Sequence, residues 1–117
     1  MNAPQSQSDC LFCKFAAGVI PVEFLRRTDS YYAINDINPQ APTHILIIPI
    51  QHHSNAALSA AHDPGFVDLF TAAAEIASER GLDGYRTIFN TGESAGQSVF
   101  HAHLHLLGGR PFAWPPG

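Results

Sequence analysis

Residues 101–105 read His-Ala-His-Leu-His, and this alternation constrains the fold more than any other stretch of the chain. In an extended strand, successive side chains point to opposite faces. The three imidazoles would therefore share one face, while Ala102 and Leu104 enter a core on the other. Three polar rings are poor packing material, because each buried ring nitrogen needs a partner, so His101, His103 and His105 read as the lining of a groove. Zinc favours imidazole, which makes a metal site the rival of a catalytic one. The outer two Cα atoms of such a strand stand roughly 13 Å apart, however, so convergence of all three rings on one ion is awkward. At least one His is free for another task.

Upstream lies Asn90-Thr91-Gly92-Glu93-Ser94-Ala95-Gly96-Gln97-Ser98. Its glycines permit close backbone approach, and its amides and hydroxyls can donate to an oxyanion. By itself such a loop reads better as an ordinary hairpin turn. Attached directly to a strand bearing three His, it reads as a phosphate cradle whose donors and imidazoles surround one ligand atom.

The rest of the chain supplies an α+β scaffold. Residues 11–20 carry Leu11, Phe12, Phe15 and Ile20 at near-helical spacing and end at Gly18 and Pro21, which predicts a short amphipathic helix. Residues 23–27 and 31–35, separated by Thr28, Asp29 and Ser30, predict an antiparallel hairpin. Residues 36–42 form a loop, and the β-branched residues 43–48, closed by Pro49, form a buried strand. After Pro64 and Gly65, the residues Phe66, Leu69, Phe70, Ala73, Ile76 and Ala77 recur at three- and four-residue steps up to Arg80, and Gly81 stands where a C-cap belongs. Residues 85–90 and 98–107 complete the strands. Five strands, one long helix and one short N-terminal helix, without regular strand–helix alternation, predict a five-stranded antiparallel sheet rather than a doubly wound fold.

At 117 residues with 45% hydrophobic and 14% charged side chains, one domain is expected over residues 10–117. Residues 1–9 read as a disordered polar tail and not as a secretion signal. Ten acidic against six basic residues disfavour long nucleic acid as a partner. The longest apolar run, near Ile45–Ile50, is too short to span a bilayer, so a cytoplasmic location is expected. There Cys10 and Cys13 are thiols or metal ligands rather than a disulfide.

Gly96-Gln97-Ser98-Val99-Phe100-His101-Ala102-His103-Leu104-His105-Leu106 resembles the signature of the histidine triad superfamily. Residues 35–44, Asn90 with Gly92, Gly108-Gly109-Arg110 and the Trp114-Pro115-Pro116-Gly117 end resemble its Hint branch, the purine nucleoside phosphoramidases. The resemblance implies a HIT-like fold and hydrolysis of purine nucleoside phosphoramidates, of the AMP-NH2 or AMP-lysine type. In that reading His103 attacks the α-phosphorus and becomes nucleotidylated before water releases the nucleoside monophosphate. His105 and the Ser98 hydroxyl donate to phosphate oxygens or to the departing amine, Gln97 and Asn90 help to fix the phosphate beside Gly96, and His101 completes the triad. The resemblance further implies that Asp36, otherwise an ordinary turn-former, grips the ribose hydroxyls. It makes Leu11, Phe12, Phe15 and Ile37, otherwise core, an apolar slot for the purine.

A lone Cys-x-x-Cys is compatible with redox chemistry or with two buried thiols. By resemblance it implies structural zinc on Cys10, Cys13, His44 and His101, with no organic cofactor, while His52, His53 and His62 are expected to be solvent-exposed and without a role. A purine-nucleotide-binding interaction module with little turnover, and a zinc hydrolase using the triad as ligands, are the competing readings. An uncovered sheet edge and the rigid apolar end at Trp114 predict a homodimer in which this end shapes the neighbour's leaving-group pocket.

Overall fold

The structure is a computed structural model that describes residues 7–117. The expectation for the first six residues lies outside it. Five strands form one sheet: β1 (Arg26–Arg27), β2 (Tyr31–Asn35), β3 (Thr43–Pro49), β4 (Tyr85–Ile88) and β5 (Leu104–Gly108). Their spatial order is β1-β2-β3-β5-β4 and every neighbouring pair is antiparallel. Helices α1 (Leu11–Ala17), α2 (Ala56–His62) and α3 (Asp68–Glu79) complete the α+β architecture.

The strand period divides the core in two. Tyr31, Ala33, Ile45, Ile47, Leu104 and Leu106 face Leu69, Ala72, Ala73 and Ile76 of α3. Tyr32, Ile34, Leu46 and Ile48 point the other way and meet Phe12 of α1. Ile47 and Leu104 are register partners with no exposed surface, and side chains of this size contribute about 1.5–3 kcal/mol each when fully buried. The Tyr32 hydroxyl donates to the Phe12 carbonyl at 2.7 Å, fastening α1 across the sheet. His44 and His105 lie on this α1 side, because they share the parity of Leu46 in register.

Four expectations are corrected by the backbone. α1 stops at Ala17, because Gly18 adopts φ +76° and caps it. α3 begins only at Asp68, after a turn over residues 64–67. α2 (Ala56–His62) is a third helix beside the one long and one short helix expected, capped by Asn55 accepting from the Leu58 N–H at 3.0 Å. Most consequential is β5, which starts at Leu104 and not at residue 98. The β3–β5 register would set Pro49 opposite Ala102, and proline has no N–H to continue the ladder. The Ala102 N–H bonds instead to the His53 carbonyl at 2.8 Å. His101 and His103 therefore precede the strand, on a segment that the end of β3 redirects.

Candidate functional site

Two clusters of side chains meet at the start of β5. In the first, Cys10 is the N-cap of α1 and Cys13 lies one turn on, which turns both sulfurs toward one point. Cys13 Sγ lies 3.4 Å from His52 Nδ1 and 3.5 Å from His101 Nδ1, Cys10 Sγ lies 3.5 Å from His101 Nδ1, and the two Nδ1 atoms are 3.1 Å apart. A tetrahedral cation with the bond lengths of zinc has S···N edges of about 3.5 Å and N···N edges of about 3.4 Å. The four donors can thus hold a metal ion. His101 is prepared for such a role, since its Nε2–H donates to the Pro49 carbonyl at 2.8 Å and leaves the Nδ1 lone pair facing the sulfurs. Burial pushes the Cys13 thiol up to about 11, so a metal entering here displaces protons.

This corrects the ligand set expected from resemblance, for His52 occupies the place given to His44. Position in sequence concealed it: His52 follows the end of β3 and is half-buried, with no periodic pattern to mark it. Its one mark in the sequence is a His-His pair that begins three residues after the strand-ending proline. His44 lies elsewhere, with both ring nitrogens engaged. Nδ1 accepts the Gln40 N–H at 3.0 Å, and Nε2 faces His105 Nδ1 at 2.9 Å and Asp36 Oδ2 at 3.4 Å.

The second cluster contains His103, His105, His44 and Asp36. His103 Nδ1 lies 2.8 Å from the main-chain oxygen of His101. A carbonyl only accepts, so Nδ1 carries the hydrogen and Nε2 holds the lone pair. Burial lowers the His103 pKa against the opposing carbonyl bond and the Asp36 charge, which favours the neutral ring. Burial, then His103 and His44, push His105 down to about 4. Burial likewise, with His52, His103 and His53 nearby, drives His101 down to about 4. Asp36 is held at the end of β2, where its N–H continues the ladder to the His44 carbonyl at 3.0 Å and its Oδ1 accepts from the Asn38 N–H at 2.8 Å.

The loop before β5 is arranged differently from expectation. Gln97 is buried and braces the loop: its Oε1 accepts from the Gly92 N–H at 2.9 Å, and its Nε2 donates to the Ser54 and Val99 carbonyls at 2.6 and 3.1 Å. Its amide is thus committed to main chain, and a direct phosphate contact would require breaking these bonds. Gly96 takes φ +96° beside the Asn90 amide. Ser98 is exposed and lines a cavity of about 350 Å³ together with Cys10, Leu11 and His52.

Of the expected purine slot, Phe12 belongs to the core. It is 4% exposed, and its ring meets those of His103 and His101 edge-on at 4.9 and 5.9 Å. Leu11 and Ile37 are exposed and Phe15 is half-buried, so these three retain surface for a ligand. At the opposite end a cleft of about 560 Å³ lies between residues 81–86 and 109–112, and no triad residue lines it. Arg86 beside it stacks on Phe112 and Trp114 and donates to the Ala113 carbonyl, while Trp114 stays 81% exposed.

A family model described as the HIT domain matches residues 17–112. Purine nucleoside phosphoramidase of Escherichia coli K12 is 45% identical over 106 residues, covering 88% of this chain and 89% of that protein. A HIT-like protein of Synechococcus elongatus is 44% identical over 93% of this chain and 97% of its own length. The crystal structure of a HIT family hydrolase from Legionella pneumophila superposes with a TM-score of 0.87 at 43% identity, covering 93% of this chain and all of that one.

Proposed function

We propose that this chain, which belongs to the HIT domain family, is a hydrolase that cleaves the P–N bond of purine nucleoside phosphoramidates through a nucleotidyl-histidine. One observation carries the reading: the His101 carbonyl holds the His103 hydrogen on Nδ1, leaving Nε2 as the lone pair of a neutral imidazole. Such a ring is a competent nucleophile near pH 7 and, once protonated, a good leaving group. The name and 45% identity of the Escherichia coli relative support the substrate class.

In the first step Nε2 forms a bond to the α-phosphorus, the P–N bond breaks, and the amine leaves with a proton supplied by His105 or Ser98. His105 and Ser98 donate to the phosphate oxygens or to that amine. In the second step water forms the new P–O bond and returns a proton to the group that protonated the amine, His103 departs as a neutral imidazole, and the nucleoside monophosphate is released. Positioning supplies much of the rate. Asp36 accepts from the ribose hydroxyls, with Leu11, Phe15 and Ile37 against the purine and Asn90 and Gly96 shaping the phosphate loop.

Zinc held by Cys10, Cys13, His52 and His101 would tie α1 to the segment before β5, a structural cross-link with all four positions filled by protein. A second copy of the chain would cover edge strand β4, where Tyr85, Phe70 and Trp114 are exposed, and place Trp114 near its neighbour's site.

Incubation with adenosine and guanosine 5'-phosphoramidates tests the reading by release of monophosphate and amine. Turnover that disappears in His103→Ala is expected. Nucleotide binding without turnover by the wild type would favour the interaction module, and undiminished hydrolysis by His103→Ala would exclude the mechanism.

A further inference from the structure

His44 is buried, lies two residues from the register partner of His105 on the same sheet face, and takes no part in the thiol–imidazole cluster. We infer that His44 is a positioning residue that sets the tautomer of His105, fixing its Nε2 as a hydrogen-bond donor in the site. The inference rests on the reading above that His105 faces the phosphate.

A main-chain amide can only donate. The Gln40 main-chain N–H points at His44 Nδ1 from 3.0 Å, so that nitrogen holds a lone pair and the hydrogen of a neutral ring must sit on Nε2. Both neighbours of Nε2 agree, since His105 Nδ1 at 2.9 Å can accept and the Asp36 carboxylate at 3.4 Å only accepts. Burial lowers the His44 pKa despite Asp36, which keeps the ring in that neutral form. His105 Nδ1 is then the acceptor of the shorter bond, and the His105 hydrogen lies on Nε2.

That Nε2 is buried and without a hydrogen-bond partner among the described residues. An unsatisfied buried N–H is costly, and it is the group a phosphate oxygen or an amine nitrogen would satisfy. This hydrogen-bonded series is anchored in the sheet and in main chain. Its two rings stand on β3 and β5, and Gln40 is held from outside, its carbonyl accepting from Arg110 Nε and Nη2 at 3.3 and 3.1 Å. The Asp36, His44 and His105 group could be read as a cation site. Against that, His44 Nδ1 is already spent on a main-chain amide, and the 2.9 Å between the other two nitrogens is shorter than the roughly 3.4 Å edge between imidazole ligands of a tetrahedral zinc.

Imidazole 15N NMR of the wild-type protein reads the tautomer directly, and His44→Leu and His44→Gln test its consequence. In the wild type at pH 7, His105 is expected to show a protonated Nε2 and an unprotonated Nδ1. His44→Leu should lose that preference and lower kcat roughly 10- to 100-fold, the size that outer partners of functional imidazoles commonly carry, with little change in KM. Glutamine can place an amide N–H where Nε2–H stood, so His44→Gln should restore the tautomer and most of kcat. A hydrogen on His105 Nδ1 in the wild type, or an unchanged kcat in His44→Leu, would overturn the inference. Should His44→Leu fail to fold, the wild-type spectrum and the His44→Gln rate decide alone. Absence of phosphoramidate turnover in the wild type would instead count against the proposed function and leave the tautomer measurement standing.

Discussion

The main-chain oxygen of His101 lies 2.8 Å from Nδ1 of His103, and the His101 ring is also the one that faces Cys10, Cys13 and His52. One residue thus joins the two clusters, its ring belonging to the donor set and its carbonyl to the tautomer of the neighbouring imidazole. Whatever holds the His101 ring also holds the carbonyl that orients His103.

The first prediction separates the two histidines that could complete the donor set. Protein purified without chelator should carry one zinc per chain in the wild type and in His44→Leu, and none in His52→Ala. Loss of the ion should lower the melting temperature more than it lowers turnover, because a closed four-ligand site leaves no position for substrate. Metal analysis checks this, and stoichiometric zinc in His52→Ala would refute the ligand set.

The second concerns pH. Burial places the His105 pKa at about 4 in the folded protein, against about 6.5 for an unfolded His. The unfolded chain therefore binds more protons between these values. Stability from the neutral ring is complete above about pH 6.5, declines as pH falls toward 4, and is gone below it. Urea unfolding at pH 7, 6 and 5 should show His105→Asn losing less stability with acid than the wild type, by ~1–3 kcal/mol over the range. Parallel pH curves would contradict the buried, neutral assignment.

Much of this architecture is legible in the sequence. The β-branched run of β3 and the three- and four-residue steps of α3 record burial on two faces or on one, and burial is what sequence periodicity encodes. Pairing is not encoded in the same way. His101 and His103 alternate as a strand would, yet Pro49 ends the ladder that would have made them one. His52 and His44 show the same limit at the site: His44 stands near the start of β3 and His52 three residues past its end, and only the fold of the segment after Pro49 decides which meets the thiols. Gln97, by its residue type a plausible phosphate donor, is committed to its own loop because Gly92, Ser54 and Val99 present main-chain groups there.

The third prediction tests the support of the Asp36 loop. Gly109 adopts φ +92°, and a Cβ there would meet the Pro42 ring at 2.9 Å. Gly109→Ala therefore combines an unfavourable backbone conformation with a collision against the residue that leads into β3. A loss of about 1–3 kcal/mol is expected, seen as a melting temperature several degrees lower. An unchanged melting temperature would show that the contact yields freely.

The fourth addresses the C-terminal end. Arg86 holds the Ala113 carbonyl and stacks on Phe112 and Trp114, while most of the Trp114 ring faces outward. Light scattering at micromolar concentration should give a dimer, and removal of residues 113–117 should change kcat/KM for amine-bearing substrates. A monomer, or an unaltered kcat/KM, would count against a shared leaving-group pocket.

The most direct test of the account is intact-mass analysis of protein quenched during turnover of a purine nucleoside phosphoramidate, with peptide mapping of any adduct. The account predicts one nucleoside monophosphate on the wild-type chain, mapped to His103 and absent from His103→Ala. Turnover without an adduct under conditions that trap it, or an adduct that maps to His101 or His105, would contradict it.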